Sequence, residues 1–457
     1  MTTNASRRAF LQRASLLSVA GAAAPWALNL AAMGEAAAAT ATDYKALVCV
    51  FLYGGNDYGN TLIPYDNARY ATYQSLRPTL AYAQAALTPT LLTPNIALPA
   101  GLQYALAPEL APLLPLFSAN KLGVMLNVGT LIQPTTKPQY TAKSVPLPPK
   151  LFSHNDQQSV WQSSAPEGAT SGWGGRIGDL FEAGNGNATF TCVNVSSNAV
   201  FLSGHNAVQY QVSTNGPVPL NGVKSPLFGS SACSAALRTL VTAPSTHLFE
   251  TEYTRVMSRS LSATDVLTTA LAAGPTLATP FPVGNSLADQ LKMVARMIST
   301  ASEVGAKRQV FFVSLGGFDT HDGLAAVHPG LLTSVADAMN AFYAATVELG
   351  VANQVTSFTA SDFGRTLTAN DGSDHGWGSM HFMLGGAVNG GRFYGTPPVV
   401  ADNGADDVGQ GRLLPSTSVD QYAATLGKWF GISDTDLLAV LPNLGNWNAS
   451  QRNLGFV

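Results

Sequence analysis

The chain has 457 residues, of which only 11% are charged, and a formal net charge of −3. So few charges, with no basic cluster beyond the first residues, exclude nucleic acid as a partner, because phosphate recognition needs a basic stripe. Three cysteines (Cys49, Cys192, Cys233) are too few for a disulfide framework; Cys49 and Cys192 sit in apolar runs and read as buried thiols, and one bridge among the three stays open.

The chain opens with Ser6-Arg7-Arg8-Ala9-Phe10-Leu11, an arginine pair followed by an apolar pair. An uncharged run rich in Ala, Leu, Val and Gly extends from Ala14 to about Met33, and Ala37, Ala39 and Ala41 offer A-x-A cleavage sites before Asp43. Charged start, modest apolar middle and small-residue end form the plan of a removable signal, and adjacent arginines assign it to the twin-arginine route. Alanine-rich and interrupted by Pro25, the run suits poorly a spanning helix of about 20 strongly apolar residues. Residues 1–41 are therefore expected to be a signal peptide, with the twin-arginine translocase as a partner. The mature chain is expected to be periplasmic or secreted, with no part in the membrane.

Residues 42–457 suffice for one large domain or two ordinary ones. Strand-like apolar runs recur at 45–53 (KALVCVFLY), 122–128 (LGVMLNV), 189–195, 309–315 (QVFFVSL), 355–360 and 382–388, each closed or interrupted by glycine or polar residues. Continuous runs of this length suit strands buried on both faces, as in a parallel sheet. Between them, residues 133–150 carry five prolines and read as a loop within the fold. Leu287, Leu291, Val294 and Ile298 form one helical stripe. The pattern of 331–349 predicts a helix following His328-Pro329. Ser418 with Gln421 makes a capping-box start for another helix, which reaches Trp429 and stops at Gly431. This alternation predicts an α/β fold, a three-layer sandwich with a mostly parallel central sheet and helices on both faces. No internal repeat is visible, and the expected organisation is a single domain over 42–457 with loop insertions.

Open α/β sheets bind ligands at the carboxyl ends of their strands. The unusual polar clusters of this chain stand on loops there: 54–60 (GGNDYGN), 152–158 (FSHNDQQ), 316–322 (GGFDTHD), and 361–366 (SDFGRT) followed by 374–378 (DHGWG). Their carboxylates and imidazoles are the ligands that divalent Zn, Mn, Mg or Ca sites use. Asp319 and His321, two apart on a strand end, point the same way and are candidates to share one ion. Asp57, Asp362, Asp374 and His375 are candidates to converge on it from neighbouring strands, for one or two ions in all.

Each candidate has a plainer reading. Ser153, at the expected N-terminus of a helix, is a nucleophile or an N-cap. His154 beside it is a catalytic group or a structural hydrogen-bond partner. Arg365 assists catalysis by holding an anion, or forms a buried ion pair with Asp362. Arg176, in GWGGR, binds an anionic substrate or ties two loops, and Asn60 is a further substrate-binding candidate. Asp57 is a ligand or the cap of its own turn, and His375 a ligand or a ring packed beside Trp377. His328 and His381 are expected to be structural.

Together, GGNDYGNTLIPYD, FSHNDQQ, GWGGR, SLGGFDTHDG, SDFGRT, DHGWG and LLPSTSVDQYAATLGKWFG resemble the exported bacterial family of domain of unknown function 1501, in family order from about residue 46 to the C-terminus. That family is similar to the alkaline phosphatase and sulfatase superfamily, which implies an alkaline-phosphatase-like sandwich and phosphoryl or sulfuryl ester hydrolysis at two metals. The resemblance implies Asp57 as the ligand after the first strand, Ser153 as the nucleophile, and Asp319 with His321 at one metal. It implies Asp362 on the bridging side and His375 as the late histidine ligand. Two departures stand out: Phe363 follows Asp362 where the superfamily has a histidine ligand, and Asp319 and His321 lie closer together in sequence than in the phosphatases.

The expectation is an exported metal-dependent phosphate or sulfate ester hydrolase acting on a small anionic ester. The alternative is a catalytically degenerate binding or assembly protein on the same fold that holds an envelope polymer or polysaccharide. A third reading is a structural protein stabilised by its metal.

Overall fold

β1 (Lys45–Leu52) is apolar along its whole length because both of its faces are covered. Ala46, Val48, Val50 and Leu52 join the core on one side, and Leu47, Cys49 and Phe51 the core on the other. The computed structural model describes residue 41 and residues 43–457. The signal expected at 1–41 thus lies, Ala41 apart, outside the described residues.

Nine further strands complete the sheet: β2 (Leu122–Gly129), β3 (Cys192–Asn194), β4 (Tyr210–Ser213), β5 (Gly216–Pro217), β6 (Arg308–Leu315), β7 (Val355–Ser361), β8 (Ser379–Gly385), β9 (Phe393–Tyr394) and β10 (Thr417–Ser418). Their order is β9-β2-β8-β7-β1-β6-β3-β4-β5, with β10 paired alongside β2. β1 runs parallel to β6, Lys45 opposite Arg308, and parallel to β7, Ala46 opposite Val355. Within this sheet, among the described residues, antiparallel pairing is confined to β8, against β2 and β7, and to β5 against β4.

The helices used below are α1 (Asn67–Leu76), α2 (His154–Ser163), α3 (Trp173–Phe181), α4 (Ser231–Thr242), α5 (Leu248–Ala273), α6 (Ser286–Ser299), α7 (Leu324–Glu348) and α8 (Val419–Phe430). On one face α6 and α7 bury Leu287, Leu291, Val294, Leu332 and Val335; on the other α3 and α8 bury Ile177, Phe181, Tyr422 and Leu426. Each such fully buried side chain contributes about 1.5–3 kcal/mol. The three-layer, mostly parallel α/β expectation is met. Among the described residues no helix is long and apolar enough to cross a membrane.

Local expectations fared unevenly. The stripe of α6 and the capping box of α8 are present, with Ser418 and Gln421 exchanging hydrogen bonds and Gly431 left-handed at the C-cap. α7 begins at Leu324, ahead of the expected 331, with Pro329 inside it. Leu324 and His328, four apart and wholly buried, carry its first turn by packing. β8 lies three residues before the expected 382–388, because its register is set by antiparallel neighbours on both sides. The proline-rich segment holds a short helix, Lys137–Ala142, opened by a Thr136/Gln139 capping box. Cys49 and Cys192 are buried, Cys233 is exposed, and all three are unpaired.

Asp420, in the first turn of α8, is buried and accepts one hydrogen bond from the Asn443 amide at 3.2 Å. Burial pushes its carboxyl up to about 6 against the Asn443 hydrogen bond and the charge of Arg176. A raised carboxyl holds its proton more tightly folded than unfolded, so its contribution is full below the unfolded value and is lost as pH rises through the folded one. The stability of the wild type relative to Asp420→Asn is therefore expected to fall by up to about 3 kcal/mol between pH 4 and 7. Denaturant titrations across that window check it; parallel curves for the two proteins would contradict it.

Candidate metal centre

The loops after β1, β6 and β7 and the start of α2 meet at the carboxyl ends of the central strands. Gly54 makes this approach possible: at its φ of +115° an added Cβ would lie 2.3 Å from the Asp319 nitrogen. Its own N–H donates to Asp362 Oδ2 at 3.2 Å, so one glycine sets the spacing of two loops. Gly54→Ala is expected to lower divalent-ion affinity at least about tenfold and stability by about 1–3 kcal/mol. Calorimetric titration with zinc and thermal melts test this; an unchanged affinity would show that the close approach is dispensable.

His154, Asp319 and His375 each offer a donor atom, and these atoms lie within 4.8 Å of one another. A third imidazole joins them: His321 Nε2 is 3.0 Å from Asp319 Oδ1 and 2.9 Å from His375 Nε2. The far side of every ring is fixed. His154 Nδ1 donates to Asp362 Oδ2 at 2.6 Å, His321 Nδ1 to Asp374 Oδ1 at 2.9 Å, and His375 Nδ1 to the Phe152 carbonyl at 2.7 Å. Carboxylates and carbonyls only accept, so a proton on each Nδ1 satisfies these three bonds and leaves an Nε2 lone pair in the neutral ring. His321 Nε2 and His375 Nε2 also face Asp319 Oδ1, at 3.0 and 3.3 Å, and a cation held there would fix that tautomer.

In that tautomer three lone pairs and a carboxylate face one another. His154 Nε2 is buried without a hydrogen bond, 3.3 Å from Asp319 Oδ2. Such a set fits a divalent cation, with Asp362, Asp374 and the Phe152 carbonyl orienting the ligands from behind. The electrostatics run the same way: the Asp362 hydrogen bond, against the cost of burial, raises the affinity of His154 for positive charge. Burial keeps His375 below the ordinary histidine value. Burial would raise Asp319, but the Arg365 hydrogen bond and the charges of His154 and Arg365 outweigh it and hold the carboxyl below its usual range. Phe363 lies against both the His154 and His375 rings, at 4.9 Å each.

Several candidates stand elsewhere or do other work. Asp57 is fully buried, its Oδ2 2.7 Å from Arg77 Nη2 and its Oδ1 capping the Asn60 amide, which corrects its reading as a ligand. Asn60 is likewise enclosed, accepting from Arg77 and Tyr73 and donating to the Leu80 carbonyl, so it holds no substrate. Arg176 donates to the carbonyls of Ser163, Ser171 and Val440, the loop-tying alternative. Arg365, buried, donates to Asp319 Oδ1 at 2.7 Å and to the carbonyls of Gly54 and Ser373, which makes it the holder of Asp319 and corrects its partner from Asp362. Ser153 stands at the N-cap of α2 without a side-chain capping bond and donates to Asp156 Oδ2 at 3.0 Å, so its hydroxyl is turned to its own helix. Asp362 and Asp374 sit behind histidines, in place of the direct ligand roles expected of them.

His328 and His381 are structural as expected: His328 Nε2 bonds Asn56 Oδ1, His381 Nδ1 bonds Thr359 Oγ1, and burial depresses them to about 4 and about 3. Two partners escaped the sequence reading. Gln158 donates to Asp362 Oδ2 at 2.8 Å; its spacing of four from His154 on one helix was the available signal. Arg77, the C-cap of α1, had none.

The model of a family described as "Protein of unknown function (DUF1501)" matches residues 44–441. No curated protein matches the chain by sequence. Among solved structures, Ps i-CgsB in complex with a neocarrahexaose is similar at 10% identity and a TM-score of 0.36, over 89% of this chain and 77% of that one. The PsFucS1 sulfatase from Pseudoalteromonas sp. is similar at 9% identity and a TM-score of 0.31, over 86% and 68%. An alkaline phosphatase from the Antarctic bacterium TAB5 is similar at 10% identity and a TM-score of 0.30, over 89% and 99%.

Proposed function

The chain belongs to the family described as "Protein of unknown function (DUF1501)", and on that premise we propose that it is a hydrolase dependent on one divalent ion and acting on a phosphate or sulfate ester. The observation that carries the reading is the convergence of three imidazole Nε2 atoms on the Asp319 carboxylate, every ring locked from behind. Imidazole nitrogens with one carboxylate suit Zn or Mn better than Mg or Ca, which prefer oxygen ligands throughout. The count of one rests on Asp57, tied to Arg77, and on Phe363, which follows Asp362 and packs against the His154 and His375 rings where a further ligand would stand. A bound ion supplies Lewis-acid charge that polarises an ester oxygen. Arg365 fixes Asp319, the paired carboxylates keep His154 and His321 in the ligating tautomer, and Phe363 excludes water from one side. The ester class rests on the motifs shared, in order, with the domain of unknown function 1501 family and on that family's similarity to the alkaline phosphatase and sulfatase superfamily. The location we propose, periplasmic or secreted, rests on Arg7-Arg8 and the run that follows.

A second reading is favoured by Ser153, Arg176, Arg365 and Asn60, whose polar groups serve internal hydrogen bonds. On it the protein binds or assembles an envelope polymer, and its ion is structural. Elemental analysis of protein purified from the periplasm, followed by turnover of p-nitrophenyl phosphate and sulfate with and without chelator, separates the two. One equivalent of metal with chelator-sensitive hydrolysis is expected. A stoichiometric ion with no turnover moves the assignment to the second reading, and protein that takes up no ion overturns both.

A further inference from the structure

Between β5 and α6 the chain leaves the sandwich and forms α4 and α5. The second half of α5 is anchored, with Leu261, Ala263, Leu267 and Ala270 buried. Residues 248–260, about 20 Å of helix at a 1.5 Å rise per residue, are exposed on almost every side. Apolar residues nonetheless recur there: Phe249 is 78% exposed, Tyr253 54% and Val256 40%, at positions i, i+4 and i+7. Leu248 precedes them at 78% and Leu240, near the end of α4, stands at 72%. A stripe of large apolar side chains in the open marks an interaction surface.

We infer that this projecting half of α5 pairs, antiparallel, with the same helix of a second copy of the chain. The order of charges points to that partner. Glu250 and Glu252 occupy the first turns, Arg255 and Arg259 the turns that follow, and Glu252 pairs with Arg255 at 2.9 Å within the helix. A twofold axis between Thr254 and Arg255 sets Tyr253 of one copy opposite Val256 of the other. It also sets Glu250 opposite Arg259 at both ends, so that apolar stripe and charges are complementary to themselves. A membrane surface fits less well, because the segment carries equal acidic and basic residues and lacks a cationic polar face.

Sedimentation equilibrium of the mature chain is expected to show a dimer in the micromolar range. Phe249→Glu, at an exposed position, is expected to yield a monomer with unchanged far-UV circular dichroism and melting temperature. Glu250→Arg and Arg259→Glu, each alone, are expected to raise the dimer Kd about tenfold or more, and their combination to restore it. The pairing is overturned by a wild type that stays monomeric, by a dimer that survives Phe249→Glu, or by single charge variants that the double variant does not rescue. A monomeric wild type that sediments with phosphatidylcholine–phosphatidylglycerol vesicles would assign the stripe to a lipid surface instead.

Discussion

Alanine at His154, His321 or His375 is expected to lower zinc affinity about seventy- to nine-hundredfold, and asparagine at Asp362 about ten- to a hundredfold. The larger figure follows from sharing the roughly 10–16 kcal/mol of a four-ligand zinc site among its ligands. The smaller is the usual cost of losing the group that orients a ligating histidine. Asp362 Oδ2 receives His154, Gln158 and the Gly54 amide, and its Oδ1 is buried with no hydrogen-bond partner. Asparagine keeps the shape and one acceptor while removing the charge that fixes the His154 tautomer. Competition against a chromophoric chelator gives the affinities, and melting temperatures of the apo-proteins separate ligand loss from unfolding. Should Asp362→Asn cost as much as the alanines, Asp362 is itself a ligand and the arrangement given above fails.

Arg77→Met is expected to destabilise the protein by about 3–5 kcal/mol while leaving zinc affinity within about twofold. Arg77 and Asp57 are each wholly enclosed. Burial alone would lower the one and raise the other, yet their mutual attraction keeps both charged, Arg77 above and Asp57 below the usual values. The guanidinium also donates to Asn60 Oδ1 and to the carbonyls of Thr366 and Leu367. Removing it leaves a carboxylate charge unpaired and takes this donor from two carbonyls away from water, while Asn60 Oδ1 keeps only the Tyr73 hydroxyl. Arg77→Met with Asp57→Asn is expected to recover about 1–3 kcal/mol of that loss, because the unpaired charge goes too. Urea unfolding of the four proteins of this cycle checks both figures. A loss under 1 kcal/mol for Arg77→Met would mean that water reaches the pair.

Residue patterns located the site better than they assigned the roles within it. Fold class was legible because buried parallel strands leave continuous apolar runs, as in Lys45–Leu52 and Arg308–Leu315. Three of the four polar clusters do converge, through His154, Asp319, His321 and His375. Which carboxylate ligates and which stands behind a histidine was not legible, because that depends on which ring nitrogen faces inward, a matter of rotamer and backbone. Asp57 misled for a related reason: its partner Arg77 stands 20 residues on, at a position with no periodicity to announce burial. His154 was read as catalytic beside Ser153, and only the turn of α2 shows its Nε2 directed at Asp319.

The position of β1 has a consequence for how the chain reaches its folded state. Among the described residues it is the first strand made and the central one, held between partners that begin at Arg308 and Val355. Until most of the chain has emerged from the ribosome, an eight-residue run of almost wholly apolar side chains has neither neighbour. Parallel pairing over so long a separation must close a very large loop before any strand contact offsets the lost entropy, which slows the search. Through that interval the run is a template for the wrong partners. Shielding of this strand is therefore expected to help the nascent protein, and refolding from denaturant is expected to fail by aggregation more readily as concentration rises.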